Sequence, residues 1–349
     1  MKRRSFLKTV GATVGTSGVV SRVVGQDAAS IEESVNGLPR RPLGKSNETV
    51  SIVAFPGLAL VHHEQDECNE ACRKAFDQGV NHFDVAPAYG NGDCEIKMGV
   101  GLQDLPRDEI FLSCKTKMRD KEGAREELER SLERLKTDRF DLYQLHCLMQ
   151  PDEVEQTLGP GGAMETILEA QEEGKVGMIG FSAHTTPAAL AAMKGFDFDT
   201  AMFPINFVEY YLMGFGKPLI EMAEESDTSI LAIKPLSRGA WPEGMERTRK
   251  WWYRCMETED EVHLAMRFTL SLPQVKTAIP PSWLDLLDKA IDSCKSYSPI
   301  TEEETERLRI LAEASNSLFQ RQENAVAHRR PAGCPFADNP HDPSAERKV

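Results

Sequence analysis

The sequence contains no apolar run of the roughly 18 to 20 residues that would cross a bilayer, and positive charge is scarce beside negative charge. Its 349 residues include 41 Lys and Arg against 55 Asp and Glu, which gives a formal net charge of -14. So acidic a chain has little non-specific attraction for nucleic acid or anionic lipid. The sequence therefore predicts neither a nucleic-acid-binding protein nor a protein inserted stably in a membrane.

The cysteines do not form a recognisable ligand set. Eight are scattered along the chain, no CxxC pair occurs, and Cys334 stands alone near the end. This spacing does not support an iron–sulfur cluster or a zinc ribbon, and the adjacent His62 and His63 have no further cluster of ligands to join. The sequence therefore predicts no metal site. Because a chain of this length can bury a full core without disulfides, we expect mostly buried, free thiols.

Short β-branched or apolar runs alternate with longer helical patterns from about residue 50 onward. This rhythm predicts an α/β fold, the (β/α)8 or TIM barrel, because eight βα repeats fit into roughly 250 residues. A doubly wound sheet is the alternative, but the turn after the first strand, Phe55 to Ala59, does not read GxGxxG. The eight predicted strands are 52–60, 81–87, 110–116, 140–146, 176–182, 200–206, 229–235 and 277–280.

Additions are predicted at both ends of the barrel, which spans 41–327 with its terminal helix. Residues 26–40 are predicted to be a linker, and 41–50 a hairpin around Gly44 and Asn47. A long loop over 238–258 follows strand seven, a terminal helix covers 301–327, and 328–349 is expected to be a disordered tail.

Polar side chains stand where three consecutive predicted strands end, which is the edge at which TIM barrels carry their working groups. Strand two ends at Asp84 and continues to Tyr89, strand three ends with Lys115, and strand four ends with His146. Because side chains alternate along a strand, Asp84, Lys115 and His146 are expected to point inward. The four side chains are therefore expected to meet at one mouth of the barrel.

These residue types suit the reduction of a carbonyl by a hydride from another molecule, since the carbonyl oxygen must then receive a proton. Tyr89 is the candidate acid, and the ammonium of Lys115 would stabilise the phenolate of a group whose free pKa is near ~10. Asp84 would pair with Lys115, and His146 would donate a hydrogen bond that orients the carbonyl. Each residue alone fits a structural role equally well, so the hypothesis depends on their coincidence.

Five runs of the chain resemble the aldo-keto reductase superfamily: RPLGKSNETVS from 41, DVAPAYG at 84–90, FLSCKT at 111–116, RSLERLKTDRFDLYQLH ending at 146 and GKVGMIGFS at 174–182. The resemblance covers about residues 41–315. It implies a (β/α)8 barrel and NAD(P)H-dependent reduction of a small aldehyde or ketone, with sugars among the candidate substrates. It also implies the catalytic set Asp84, Tyr89 as proton donor, Lys115 and His146, with Lys117 as the alternative to Lys115.

Departures from the family pattern lie in the half of the chain that would bind the cofactor. Where the family has Asn after the serine of strand five, this chain has Ala183, and the family's Gln and stacking Tyr of strand six fall on Met202 and Ile205. After strand eight the family often has a basic residue for the adenosine 2'-phosphate, but the matching stretch begins Pro281, Ser282, Trp283. A preference for NADP over NAD therefore does not follow from the resemblance. The remaining candidates for cofactor binding are Ser182, Asn206, Ser237, Arg238, Gly239 and Ser282.

A metal-dependent hydrolase on the same fold lacks a convincing ligand set, which leaves two functions ahead of it. The first is a reductase, and the second is a non-catalytic barrel of the same family that serves as a binding or scaffold protein. The altered cofactor positions favour the second, and the complete catalytic set favours the first. Aromatic residues in the loop after strand seven predict either a lid over a flat substrate or packing of that loop on the barrel: Trp241, Trp251, Trp252 and Tyr253.

The first 25 residues contain five positive charges and no acidic residue. Arg3 and Arg4 precede Ser, Phe, Leu and Lys, and a weakly apolar run follows over 9–20. This segment resembles a twin-arginine export signal. The small residues around Val23 and Gly25 predict cleavage near Gly25, with Ala28 or Ala29 as later alternatives. The resemblance implies the twin-arginine translocation machinery as a partner, a periplasmic or other extracytoplasmic location, and folding before export with a tightly bound cofactor.

Overall fold

The structure is a computed structural model that describes residues 33–44, 46 and 48–328. The predicted export signal, the first part of the predicted linker, Cys334 and the chain from residue 329 onward lie outside the described residues, so the export signal stays a prediction. None of the described helices is both long and apolar enough to cross a membrane. The described cysteines are seven free thiols, of which six are buried and Cys255 is half-buried.

Eight parallel strands form the central sheet, which confirms the predicted (β/α)8 barrel. Just before the first of these strands, Val53 forms an isolated parallel bridge with Ala278 of the last one, and the backbone N–H of Ala278 donates to the carbonyl of Ile52 at 2.9 Å. The barrel is therefore nearly closed. In chain order its strands are β4 (Phe55–Pro56), β5 (His82–Asp84), β6 (Phe111–Thr116), β7 (Phe140–Leu148), β8 (Val176–Ala183), β9 (Thr200–Pro204), β10 (Ser229–Ile233) and β13 (Val275–Ile279).

Helices surround the barrel, and several begin at a capping box. In two of these boxes the N-cap residue is a threonine, Thr258 or Thr301, and the third residue of the helix is a glutamate. Three short 3-10 helices cover Gly57–His62, Tyr89–Gly92 and Arg107–Glu109. The α-helices are α1 (Gln65–Asp77), α2 (Asp93–Gly101), α3 (Lys121–Leu135), α4 (Pro151–Leu158), α5 (Ala163–Glu172), α6 (Thr186–Gly195), α7 (Phe207–Met213), α8 (Lys217–Ser226), α9 (Glu259–Leu270), α10 (Leu284–Lys295), α11 (Glu302–Glu313) and α12 (Gln320–Ala327).

Two apolar cores follow from the alternation of side chains along the strands. The larger core lies between the strands and the helices and includes Phe83, Cys114 and Leu145, which alternate with the inward-facing residues of their strands. The smaller core fills the barrel interior. Its members are Leu43, Val50, Ala54, Phe111, Leu142, Met178, Met202, Leu231 and Ile279.

A three-stranded hairpin sheet covers the amino-terminal end of the barrel. It consists of β1 (Glu33–Val35), β2 (Leu38–Pro42) and β3 (Thr49–Ser51). The buried Arg41 donates to the carbonyls of Leu270 and Val275 at 2.8 and 2.7 Å, which ties this sheet to β13. Residues 33–40, which the sequence predicts as linker, are therefore part of this sheet, because their backbone groups pair with the predicted hairpin.

Three other predicted elements differ from the structure. The first barrel strand is short because Pro56 has no N–H for the ladder, and the apolar residues that follow form a buried 3-10 turn. The terminal helix over 301–327 is two helices, α11 and α12, since the chain between them bonds to Glu209 and packs on the loop after β10. That loop contains a hairpin of β11 (Ser237–Ala240) and β12 (Tyr253–Cys255).

Candidate active site

The three neighbouring strands β5, β6 and β7 bring Asp84, Lys115 and His146 to the carboxyl end of the barrel, and Tyr89 opens the 3-10 turn after β5. All four side chains are buried, and Asp84, Tyr89 and His146 line a cleft at this end. The four residues, here called the tetrad, therefore lie together as the sequence predicts. Lys117 does not line the cleft, and its backbone N–H donates to Glu127.

Lys115 and Asp84 form a buried ion pair at the centre of the tetrad. Lys115 Nζ lies 2.5 Å from Asp84 Oδ1 and also donates to the carbonyl of Val85 at 3.1 Å. In a desolvated setting such a pair persists because each charge would be costly to bury alone. The pair therefore fixes the ammonium of Lys115 beside Tyr89, whose ring centre is 5.5 Å from Nζ.

Beneath this pair lies a polar layer that the sequence analysis missed. Ser113 Oγ donates to Asp84 Oδ1 at 2.8 Å, and His82 Nε2 lies 2.9 Å from the same hydroxyl. Because a carboxylate only accepts, Ser113 gives its proton to Asp84 and accepts from His82. Burial lowers the pKa of His82 to about 4, so its ring is neutral. Alternation alone could have found both residues, since His82 and Ser113 share the inward face with Asp84 and Lys115.

Tyr89 is held as a protonated phenol. Burial is the largest cause that raises the pKa of Tyr89 well above its ordinary value, and the negative charge of Asp84 is the second. The ring of His146 meets the Tyr89 ring edge to face, with centres 5.9 Å apart. The cleft thus presents a hydroxyl with its proton, an imidazole beside it and an ammonium behind it.

The opposite side of the cleft comes from β8, β10 and the loops after them. Ser182 accepts a hydrogen bond from the backbone N–H of Cys147 at 2.7 Å, and Lys234 Nζ lies 3.4 Å from His184 Nε2. Neither His184 nor Lys234 is among the site residues that the sequence predicts. The sequence does contain one indication of Lys234, because this residue directly follows an apolar strand. In the structure its side chain lines the cleft.

The predicted cofactor residues divide into two groups. Ser182 and Ser282 line the cleft. The other four do not, so the structure does not gather the predicted set, and each has a local structural task. Asn206 caps α7 by accepting from Glu209 N, Ser237 accepts from Gly239 N, Arg238 pairs with Glu261 at 3.0 Å, and Gly239 packs against the Asn316 carbonyl.

Aromatic residues of the loop after β10 cover one side of the cleft. Trp251, Trp252 and Tyr253 line it, whereas Trp241 lies behind them and donates to the carbonyl of Trp251 at 2.8 Å. The loop therefore packs on the barrel, with Trp241 bonded to it and the other three residues forming an apolar wall of the cleft. The lid over a flat substrate stays a prediction.

The fold and the site place the chain among the (β/α)8 barrels that carry a polar cleft at the carboxyl ends of their strands. The profile of the aldo/keto reductase family matches residues 62–313. This match covers most of the chain, and the chain therefore belongs to the aldo/keto reductase family.

Curated relatives support the same assignment. The aldo-keto reductase YhdN of Bacillus subtilis is 37% identical over 124 residues, which are 32% of this chain and 36% of that protein. The NAD/NADP-dependent indole-3-acetaldehyde reductase of Schizosaccharomyces pombe is 30% identical over 190 residues, 52% of this chain and 63% of that protein. The matched regions thus span about a third to two thirds of these relatives' lengths.

Solved structures show the same fold. The holo form of aldo-keto reductase AKR11C1 from Bacillus halodurans has a TM-score of 0.66 at 22% identity, covering 82% of this chain and 99% of that chain. An aldo-keto reductase from Klebsiella pneumoniae in complex with NADPH has a TM-score of 0.60 at 19% identity, covering 77% of this chain and 93% of that chain.

Proposed function

We propose that this protein reduces an aldehyde or ketone, using NADH or NADPH, with Tyr89 as the proton donor to the carbonyl oxygen. The observation that carries the proposal is the convergence of Asp84, Tyr89, Lys115 and His146 at one cleft on the carboxyl ends of three adjacent strands. When bound, the nicotinamide supplies a hydride to the carbonyl carbon. The tetrad supplies the rest of the chemistry.

Tyr89 carries the proton that the reduced oxygen needs, because burial keeps its pKa high and its hydroxyl protonated. When the proton leaves, the phenolate that remains faces the ammonium of Lys115, which is held in place by Asp84. His146, edge-on to the Tyr89 ring, is placed to orient the carbonyl oxygen toward the same hydroxyl. Each of these interactions becomes stronger as negative charge develops, which is what lowers a barrier.

The donors on the opposite side of the cleft fit a nicotinamide cofactor. Ser182 and Ser282 offer hydroxyl groups, and Trp251 and Trp252 offer flat surfaces for a ring. Ser282 lies just before α10, which begins at Leu284. The N-cap residue of this helix, Trp283, makes no side-chain hydrogen bond to its first turn. The N–H groups of that first turn suit phosphate oxygens. These residues would hold the cofactor, and neither NADH nor NADPH is favoured by them.

The test is the variant Tyr89→Phe, assayed with NADH and with NADPH against a panel of aldehydes and ketones. We expect kcat/KM to fall about 10²- to 10⁴-fold, because the proton donor is lost while the ring and its packing remain. Tyr143→Phe is the matched control, since Tyr143 is also buried but packs on Phe140 in the outer core.

Unchanged turnover in Tyr89→Phe would refute the assignment of the proton donor. Absence of turnover in the native protein with either cofactor would favour the second function, a non-catalytic barrel that binds a partner or ligand. The four predicted cofactor residues that lie outside the cleft are the observation that keeps this second function under test.

A further inference from the structure

The strand that carries His146 contains a β-bulge at the end where the cleft lies. In the pairing of β7 with β8, Leu145 stands opposite Phe181, and the next pair is Leu148 with Ala183. Two residues of β7 therefore stand opposite one residue of β8, which is the arrangement of a bulge. Bulges redirect side chains and are concentrated beside active sites, so this one calls for a physical account.

The bulge changes which side chains of β7 face the cleft. Along a regular strand Leu145 and Leu148 would face opposite ways, but with the extra residue both are buried in the larger core between strands and helices. Of the two residues between them, His146 lines the cleft, and Cys147 Sγ lies 3.6 Å from Nδ1 of His184, which also lines it. Alternation turns His146 inward, and the bulge sets the backbone from which its ring projects.

Arg119, in the loop between β6 and α3, bonds to the carbonyl groups of this bulge. Its Nη2 donates to the carbonyl of His146 at 2.9 Å and to that of Cys147 at 3.3 Å, and its Nη1 donates to the carbonyl of Lys117 at 3.2 Å. Glu153 Oε1 lies 3.7 Å from the same Nη2. One guanidinium therefore ties the loop after β6 to both bulged residues.

The contacts of Arg119 suit a backbone that must be held in place. Cys147 has φ of +59°, a conformation that is strained for a residue with a side chain and persists only where its surroundings fix it. A guanidinium offers its donors in a rigid fork, whereas an ammonium acts as a single point charge. The main chain of Arg119 is fixed as well, since Ala163 N donates to its carbonyl at 3.0 Å. Arg119 does not line the cleft, so its influence on the reaction must pass through the bulge.

We propose that Arg119 is a positioning residue, which holds the bulge of β7 so that the imidazole of His146 is aimed at the carbonyl oxygen beside Tyr89. This proposal rests on the proposed reductase function, in which His146 orients the carbonyl. It adds a residue outside the tetrad on which the rate depends.

A matched control lies at the other end of the same two strands. Arg107 is half-buried like Arg119, and it donates to the carbonyls of Ile110 and Arg139 at 2.9 and 2.8 Å. It also lies 2.9 Å from a carboxylate oxygen of Asp141. The two arginines thus make similar contacts, but Arg107 makes them at the amino-terminal ends of β6 and β7, away from the cleft.

The experiment measures kcat, at saturating cofactor and with the best substrate of the aldehyde and ketone panel, and the urea midpoint of unfolding for Arg119→Met and Arg107→Met. Both variants should unfold at lower urea concentration, because each leaves backbone carbonyls without their donor. Arg119→Met alone should lose kcat, by about 10- to 100-fold, because a displaced His146 no longer meets the carbonyl oxygen. Arg119→Lys should recover part of the rate, and Arg119→Lys with Arg107→Lys repeats the comparison in variants that keep the charge.

An unchanged kcat in the Arg119 variants, or an equal loss of kcat in the Arg107 variants, would overturn the proposal and leave Arg119 a purely structural role. The imidazole signal of His146, followed by NMR with isotope-labelled histidine and assigned with His146→Gln, is a readout without turnover. It should move in the Arg119 variants and stay in place in the Arg107 variants. If the native protein reduces no carbonyl compound but the signal moves in this way, the reductase function fails and Arg119 still positions His146. If the signal stays in place in all variants, the positioning role fails.

Discussion

The two sides of the cleft are built differently. On the side formed by β5, β6 and β7, Asp84, Lys115 and His146 are strand residues, and Lys115 contacts both Asp84 and Tyr89, which opens the turn after β5. On the side formed by β8, β10 and β13, Ser182 lies in a strand, but the other polar groups come from loops, and several predicted ligands are used for capping or packing instead. Strand alternation thus places most of the proposed catalytic residues, whereas loops place most of the groups proposed for binding.

The difference has a physical cause. A strand residue points inward or outward by simple alternation, so Asp84 and Lys115 are placed by the same ladder that forms the sheet. A loop residue is placed by the distant segments that pack on it, as Gly239 is placed by Asn316. The first side should therefore respond to substitution with large losses of catalysis and stability, and the second with smaller, local effects.

The largest effect is expected for Lys115→Met. This change leaves Asp84 charged and buried without its cation, which should cost about 3 to 5 kcal/mol in the free energy of unfolding and abolish turnover. Urea unfolding and kcat/KM measure the two losses. The double variant Lys115→Met, Asp84→Asn removes the stranded charge, so it should regain most of the stability and none of the activity. If Lys115→Met unfolds at the same urea concentration as the native protein, the pair does not stabilise this side of the cleft.

The next effect is a pH dependence that comes from His82. Its pKa is about 4 in the folded protein and near 6.5 when unfolded, because burial disfavours the imidazolium. A group whose folded pKa is depressed contributes stability above its unfolded pKa, and that contribution is lost as pH falls from 6.5 to 4. The shift corresponds to about 3 kcal/mol.

Urea unfolding of the native protein and of His82→Gln at pH 7, 6, 5 and 4 tests this dependence. The glutamine keeps an N–H for Ser113 but does not titrate in this range, so the free energy of unfolding of the native protein should fall more steeply toward pH 4. Parallel curves for the two proteins would contradict the assignment to His82, since the other acidic groups are common to both.

What the sequence predicts well follows from the same distinction. The eight strands and the inward face of Asp84, Lys115 and His146 depend on local alternation, and the structure places them together. The break between α11 and α12 could not be predicted, because it depends on Ser317 and Leu318 bonding to Glu209, more than a hundred residues away. The contact of Lys234 with His184 also could not be predicted, because the two residues follow different strands of the barrel.

The smallest of these effects is expected for Gly239→Ala, on the loop side. Gly239 has φ of +82°, and a Cβ there would lie 2.3 Å from the Asn316 carbonyl, so the chain between α11 and α12 must move. We expect a loss of about 2 kcal/mol in the free energy of unfolding. Turnover per folded molecule should remain, because the contacts that define the tetrad do not include this loop position.

Thermal unfolding measures the loss of stability, and kcat measured below the unfolding transition measures turnover. Gly244→Ala is the control, because Gly244 also has positive φ but a Cβ there would meet no atom within 4 Å. A loss of kcat in Gly239→Ala without loss of stability would mean that this loop takes part in catalysis, and the division between the two sides of the cleft would then be wrong.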